Sequence, residues 1–515
     1  MKSSARPIAF IGTLLCCLEM STSHAEVRLP ALFSDHMVLQ QDAAAPVWGW
    51  AAAGEQITVS IDGQTKTTTA GADGRWQVKL DPLNSSEPLG MTIKGTNTIT
   101  IKDVLAGETW LCAGQSNMVM TVSASKDYEK EREAAKLPQI RMFTVADDRA
   151  TSPQSDCHGS WIVCSPETVG AFSAVAFYFG RELHQRLGRA AGLINSSAGG
   201  TLIESWLDLE TQQQCAELKP FFAQRDRLMA AFDRAAAEKN YEAAMIKWKL
   251  AVEKARADKL PLPKQPSHPY GSHLGTMDVG GLFNGKIAPL IPYAMRGIVW
   301  YQGESNCTPE RSPFYETQMR LLVTDWRVRW GSELPFAWVQ LPNVRKTPSY
   351  ADIREVQMKC LDLPKTGMAI TIDIGESRDL HPKNKQDVGR RLALWALGTV
   401  YGEKVPAISG PLFTQHEVLG SEVVLHFRHT EGGLMAKGGD LKGFLIAGEN
   451  RAWKPAVARI EGDTLIVSAP NVPQPVAVRY AWAADPVCNL FNGAGLPASP
   501  FRTDDWETTT PATKP

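Results

Sequence analysis

The chain has 515 residues, more than one ordinary domain holds, and its 43% hydrophobic and 21% charged residues describe a globular protein with ample core. A formal net charge of −1 excludes polyanion binding as the main task, because phosphate contacts need an excess of Lys and Arg. No nucleic-acid or membrane partner is expected, and composition fixes no oligomeric state.

Residues 1–25 read as an export signal. Lys2 and Arg6 are basic, Pro7 to Leu18 is apolar but too short to span a bilayer, and Ser23-His24-Ala25 offers small residues for cleavage before Glu26. The mature protein is expected to be exported, periplasmic or extracellular. Removing Cys16 and Cys17 leaves seven of nine cysteines, so at least one thiol is free. Cys157 and Cys164 are the only close pair, and a disulfide there stays open. Cys112, Cys307 and Cys360 sit in apolar stretches as small hydrophobes. No Cys/His spacing resembles a zinc site, and no metal or cofactor is expected.

Residues 26–105 are short and β-like, which predicts an N-terminal β-sandwich-like module. Val38–Gln40, Ala45–Trp50, Gln56–Ile61, Trp76–Val78 and Asn97–Ile101 are its strands, with turns at Asp62-Gly63 and Asp73-Gly74. From 106 to 405 the pattern is α/β. Glu108–Ala113 and Ile140–Val145 read as strands. Ser173 caps a helix to Leu187, and Ala191–Ser196 is a further buried strand. Residues 210–275 form a charged helical insertion with Leu228, Phe232, Tyr241 and Trp248 on one face, either a lid or flank for the site or a purely structural flap. Arg296–Trp300, Phe336–Leu341 and Met368–Ile374 are further strands, with helices over Tyr315–Trp330 and Lys385–Val400. Residues 406–505 return to β as a C-terminal module, and 506–515 are a polar tail.

Four strand ends offer site residues, and in parallel sheets ligands gather at the carboxyl ends of strands. The first is Gly114-Gln115-Ser116-Asn117-Met118. One G-x-S in isolation is most often a polar turn after a core strand. The others are the turn Ser197-Ala198-Gly199-Gly200-Thr201, the run Gln302-Gly303-Glu304-Ser305-Asn306, and Glu376-Ser377-Arg378-Asp379-Leu380-His381. Of ten histidines, His381 alone follows a buried strand beside a carboxylate; His268 and His273 lie in a proline-rich stretch. Ser116 as nucleophile, His381 as base and Asp379 as orienting acid satisfy the roles of a triad. Backbone N–H groups of Ser116 and Gly200, with the carboxamide of Gln302 or Asn306, are the expected oxyanion donors, and Glu304 organises the site or pairs with Arg354. Met118 occupies the second glycine position of a G-x-S-x-G elbow, which points away from the α/β-hydrolase fold and to a flavodoxin-like hydrolase with separate site blocks.

These words resemble the sialate O-acetylesterase family of SGNH-type carbohydrate esterases. The matching stretches are Gly114–Met118, Asn195–Thr201, Trp300–Asn306, Arg354–Gln357, His381–Lys385 and Gly495–Asp504, in order from about residue 27 to 505. The resemblance implies an α/β fold: a flavodoxin-like SGNH hydrolase core with a parallel sheet, flanked by N- and C-terminal β-sandwich-like modules. It implies removal of O-acetyl groups from sugars without a metal, with Ser116 as nucleophile, His381 as base, and Gly200 and Gln302 at the oxyanion. The superfamily places Asp three residues before His. Arg378 stands there, so the acid is Asp379, Glu376, or absent in a Ser–His dyad supported by a backbone carbonyl.

Three competitors remain. A plant-polysaccharide (xylan or xyloglucan) acetylesterase keeps the chemistry and changes the sugar, with Trp48, Trp50, Trp76, Trp453 and Trp482 as stacking candidates. A glycosidase would use Glu304 and Asp379 as its paired carboxylates and leave Ser116 and His381 without a role. A non-catalytic sugar-binding protein would release no acetate.

Overall fold

The computed structural model describes residues 26–507 apart from 147, 259, 264, 267–278 and 348. The expected export signal, His268, His273 and the tail beyond 507 lie outside these residues.

The organising element is β1 (Thr98–Gly114), 17 residues long. The sequence reading splits it into Asn97–Ile101 and Glu108–Ala113 and sets a domain boundary at 105/106. Asp103, at φ 56°, interrupts the alternation without ending the strand. The first half of β1 pairs antiparallel with Leu89–Lys94, which pairs with Gln56–Ile61. The second half runs parallel to its neighbours in the central sheet. One strand thus belongs to both units, and a single apolar core runs from Val27 and Val59 through Trp110 to Trp395.

The other parallel strands are β2 (Ile140–Thr144), β3 (Ala190–Ser197), β4 (Gly297–Tyr301), β5 (Phe336–Val339) and β6 (Thr366–Ala369). Their order is β6-β5-β4-β1-β3-β2. The chain leaves β1 for the outer strand β2, fills in β3 between them, then crosses β1 and builds outward through β4, β5 and β6. An open parallel sheet leaves a ligand crevice at such a reversal, here beyond the carboxyl end of β1.

Helices α1 (Ala174–Leu187), α2 (Ser312–Trp330), α3 (Ser349–Lys359) and α4 (Lys385–Trp395) cover the sheet. Ser173 caps α1 as expected, accepting from the Ala176 N–H. On one face Trp110 meets Phe179 of α1 and Trp395 of α4 at ring separations of 5.0 and 6.4 Å. On the other, Trp300 meets Trp206 and Trp326 of α2 at 5.6 and 5.9 Å. Trp110 lies opposite Gly297 in register, three residues before Trp300, so strand alternation sends the two indoles to opposite faces.

The expected strand Met368–Ile374 ends at Ala369, where pairing with β5 stops. Ile370 and Ile372 remain buried in the loop that follows, so their apolarity reflects tertiary burial and not a strand. The helical insertion comprises Leu209–Gln214, Lys219–Ala231 and Arg234–Ala257. Phe221 anchors it, its ring 5.6 Å from Phe314 of α2. Leu228, read as part of one apolar face, is 56% exposed.

The C-terminal module packs two four-stranded sheets around its own core of Val423, Leu425, Ile446, Val478 and Phe501. Arg354, fully buried, joins it to the α/β unit by donating to the carbonyls of Leu341, Pro342, Ala483 and Ala484. All seven cysteines among the described residues are free, and Cys157 and Cys164 are buried, separate thiols.

Candidate active site

Ser116 stands where β1 stops. Gly114 is wedged between β3 and β4, and a Cβ on it would come within 2.1 Å of the Tyr301 carbonyl oxygen, so only glycine fits at its φ of 141°. Gln115 donates its N–H to that same carbonyl at 2.9 Å. Ser116 then opens a single helical turn, Ser116–Val119.

His381 arrives from the loop after β6. Its Nε2 lies 2.8 Å from Ser116 Oγ, positioned to accept the hydroxyl proton. Burial depresses the imidazole's proton affinity below its usual value, and the Lys385 charge adds to this against the pull of Asp379. A neutral ring is the form a general base requires.

Asp379 does not orient that ring. Its carboxylate is 3.9 Å from His381 Nδ1, beyond hydrogen-bond range, and instead accepts the backbone N–H of His381 at 2.9 Å. The side chain closes an Asx-type turn on the N–H two residues ahead, which commits it to the main chain and not to the ring. Glu376, the other candidate acid, accepts from the Lys383 N–H at 2.8 Å. The arrangement is a Ser–His pair, and the expected Ser116–His381–Asp379 triad is corrected to that extent.

The glycine turn lies beside the serine: a Cβ on Gly199 would be 3.7 Å from Ser116 Cβ. Gly200 has φ 69°, is exposed, and faces open space. Among the described residues no acceptor in the protein engages the N–H groups of Ser116 or Gly200. Gln302 and Asn306, expected as oxyanion donors, do other work. Gln302 is buried, and its Nε2 donates to Thr201 O at 3.2 Å and Asn306 Oδ1 at 2.7 Å, which uses both protons. Asn306 accepts from the Ile203 N–H at 3.1 Å and donates to Glu204 at 3.0 Å. Both brace the turn that carries Gly200.

Asn117 and Lys385 escaped the sequence reading as site residues. Asn117 is fully buried. Its Nδ2 donates to Glu304 Oε1 at 2.5 Å and to the Leu380 carbonyl at 3.1 Å, and its Oδ1 accepts from Lys385 Nζ at 2.5 Å. Burial lowers the Lys385 amine to about 7, partly opposed by Glu304, and raises the Glu304 carboxyl. Glu304 is thus tied to Asn117 and not to Arg354. It lies buried beneath the site, while Asp379 is half exposed, so the two do not form the solvent-facing carboxylate pair of a glycosidase.

Comparison with known proteins identifies the family. Human sialate O-acetylesterase is 30% identical over 534 residues, covering 92% of this chain and 92% of that protein. The chain belongs to the sialate O-acetylesterase family. The rat sialate O-acetylesterase is 29% identical, with 97% of this chain and 98% of that one aligned. The family model "Carbohydrate esterase, sialic acid-specific acetylesterase" matches residues 284–397, a stretch that holds Gln302, Glu304, Asn306, His381 and Lys385 but not Ser116. Among solved structures, a novel carbohydrate acetylesterase from Xanthomonas citri is 35% identical with a TM-score of 0.78, covering 93% of this chain and all of that one. As a member of the sialate O-acetylesterase family the chain is an ester hydrolase, as the resemblance implied.

Proposed function

We propose that the protein hydrolyses O-acetyl esters on sugars through an acetyl-enzyme. One observation carries the assignment of roles: the 2.8 Å contact between Ser116 Oγ and His381 Nε2. Ser116 Oγ attacks the acetyl carbonyl carbon as its proton passes to His381 Nε2. The carbonyl oxygen becomes an oxyanion, held by the N–H groups of Ser116 and Gly200, each such donor being worth about 10²–10³ in rate. The C–O bond to the sugar breaks, and His381 returns the proton to the departing sugar oxygen. Water, deprotonated by His381, then releases acetate and regenerates the serine. Asn117, Lys385 and Glu304 act from beneath as positioning residues.

The substrate is an acetylated sugar or glycan, in line with the named activity of the mammalian relatives and of the Xanthomonas protein. Acetate release from O-acetylated sialic acid, measured beside acetylated xylan and xyloglucan oligosaccharides with Ser116→Ala as control, tests this. Release from sialic acid esters alone supports sialate specificity; release from xylan esters alone moves the substrate to plant polysaccharide. No release from any ester overturns the assignment.

We also place the protein outside the cytoplasm, on the strength of the basic, apolar and small-residue segments before Glu26. N-terminal sequencing of the protein recovered from its host tests this. A mature terminus at Glu26 is expected, and an intact Met1 would contradict it.

A further inference from the structure

Strand Ala45–Trp50 alternates buried and half-buried positions, and the sequence puts Trp48 and Trp50 on the outer set. Val47 and Gly49 point inward. Its partner Arg75–Leu80 does the same, burying Trp76, Val78 and Leu80 and exposing Arg75 and Gln77. The register sets Trp48 opposite Gln77 and Trp50 opposite Arg75. One face of this hairpin therefore carries two indoles about 6.6 Å apart along the strand, with a planar amide and a guanidinium across from them. The Arg28 guanidinium stands 5.7 Å from the Trp50 ring centroid, adding a second positive charge.

This face forms one wall of a groove of about 310 Å³. Pro153, Gln154, Ser155, Ala288, Ile291 and Pro292 complete its lining. Trp48 also meets Phe33 at 4.7 Å and Tyr293 at 6.4 Å, so it presents to the groove only the part of its ring left outside the core. Of the other tryptophans proposed for sugar stacking, Trp76 is in the core, and Arg479 lies over Trp453 and Trp482 at 4.4 and 5.6 Å, as Arg28 lies over Trp50, but neither of those two lines this groove. Apolar ring faces beside hydrogen-bonding amide, hydroxyl and guanidinium groups match a pyranose, which has an apolar C–H face and an equatorial rim of hydroxyls. They suit a lipid tail poorly, because the charged groups would lose water without a partner.

We propose that this groove is a second, non-catalytic site that holds a pyranoside segment of the glycan being deacetylated. The inference rests on the esterase reading for its substrate class. It adds that long glycans are gripped by the N-terminal module while short esters are not.

The test uses the full chain and three variants, Trp50→Ala, Gln77→Ala and Ser155→Arg, the last filling the groove without removing an aromatic ring. Affinity electrophoresis in gels containing xylan or submaxillary mucin reads binding. Acetate release from the acetylated polymer and from p-nitrophenyl acetate reads catalysis. The wild type should be retarded by at least one of the two glycans. The variants should lose retardation and release acetate from that polymer about tenfold more slowly, with p-nitrophenyl acetate hydrolysis unchanged. Unchanged p-nitrophenyl acetate turnover also shows that each variant is folded and that the esterase reading stands. Retardation by neither glycan, or variants that match the wild type on polymer, would overturn the proposal.

Discussion

Asn117 Nδ2 donates to the carbonyl of Leu380 across 3.1 Å, which ties the residue after Ser116 to the residue before His381. Two loops 263 positions apart in sequence are thereby held in one register, and the 2.8 Å contact between hydroxyl and imidazole depends on it. Positioning of this kind is costly to lose, since small displacements of reacting groups slow turnover disproportionately. Asn117→Ala should lower kcat for p-nitrophenyl acetate by about 10–100-fold with little change in KM. It should also destabilise the fold by about 2–4 kcal/mol, because Lys385 and Glu304 are left buried without their bridge. Steady-state kinetics and urea unfolding measure both. A fall in stability with kcat intact would confine Asn117 to a structural role.

Asp379→Ala should leave kcat/KM within about tenfold of wild type, since its carboxylate serves the His381 main chain and not the ring. An acid that orients the imidazole would cost about 10⁴. A loss of that size would restore the triad.

Lys385→Met should move the acid limb of the pH profile of kcat/KM to higher pH. The base works as neutral imidazole, so the rate falls as pH drops through its pKa. Burial and then the Lys385 charge hold that pKa down, and removing the charge lets it rise. An unmoved limb would show that Lys385 does not act on His381.

The same substitution has a stability signature. The Lys385 amine sits at about 7 in the fold against 10.5 in the unfolded chain. Between those values the unfolded state binds more protons, so this group's contribution to stability improves as pH rises from 7 to about 10. The Tm of wild type should gain on that of Lys385→Met across this window. A constant difference would contradict the depressed amine.

Gln302→Met should lower kcat and Tm together. Both of its amide protons are engaged in bracing the Gly200 turn, and losing them strands the Thr201 carbonyl and Asn306. A kcat loss of about 10²–10³ with Tm unchanged would instead mark Gln302 as an oxyanion donor.

Much of the fold could be read in the chain because strand alternation and capping are local. Ala45–Trp50 and Gln56–Ile61 begin and end where the alternation says, and the Ser173 cap is where the serine stands. The sequence divides the long β1 because the alternation of Asn97–Ile101 lapses before the apolar run resumes, and the structure bridges that lapse through Asp103 at φ 56°. Ser116 and Gly200 are legible because each closely follows a strand terminus, whereas His381 stands twelve residues beyond Ala369 and is legible because the buried Ile370 and Ile372 prolong the strand pattern toward it. The brace is not. Asn117 and Lys385 are 268 positions apart, and nothing local marks a lysine as buried or an asparagine as a bridge between a lysine and a glutamate. Asp379 misled for a related reason, since proximity in sequence does not say whether a carboxylate meets a ring or the main chain.

The account depends on Ser116 and His381 working as one unit, and a double-mutant cycle on acetyl ester hydrolysis tests that directly. Ser116→Ala and His381→Gln should each lower kcat by about 10³ or more, and the double variant should be no slower than the worse single one. If Ser116→Ala stays within about tenfold of wild type, or if the two losses multiply in full, the hydroxyl and the imidazole do not share a reaction step and the acetyl-enzyme mechanism is wrong.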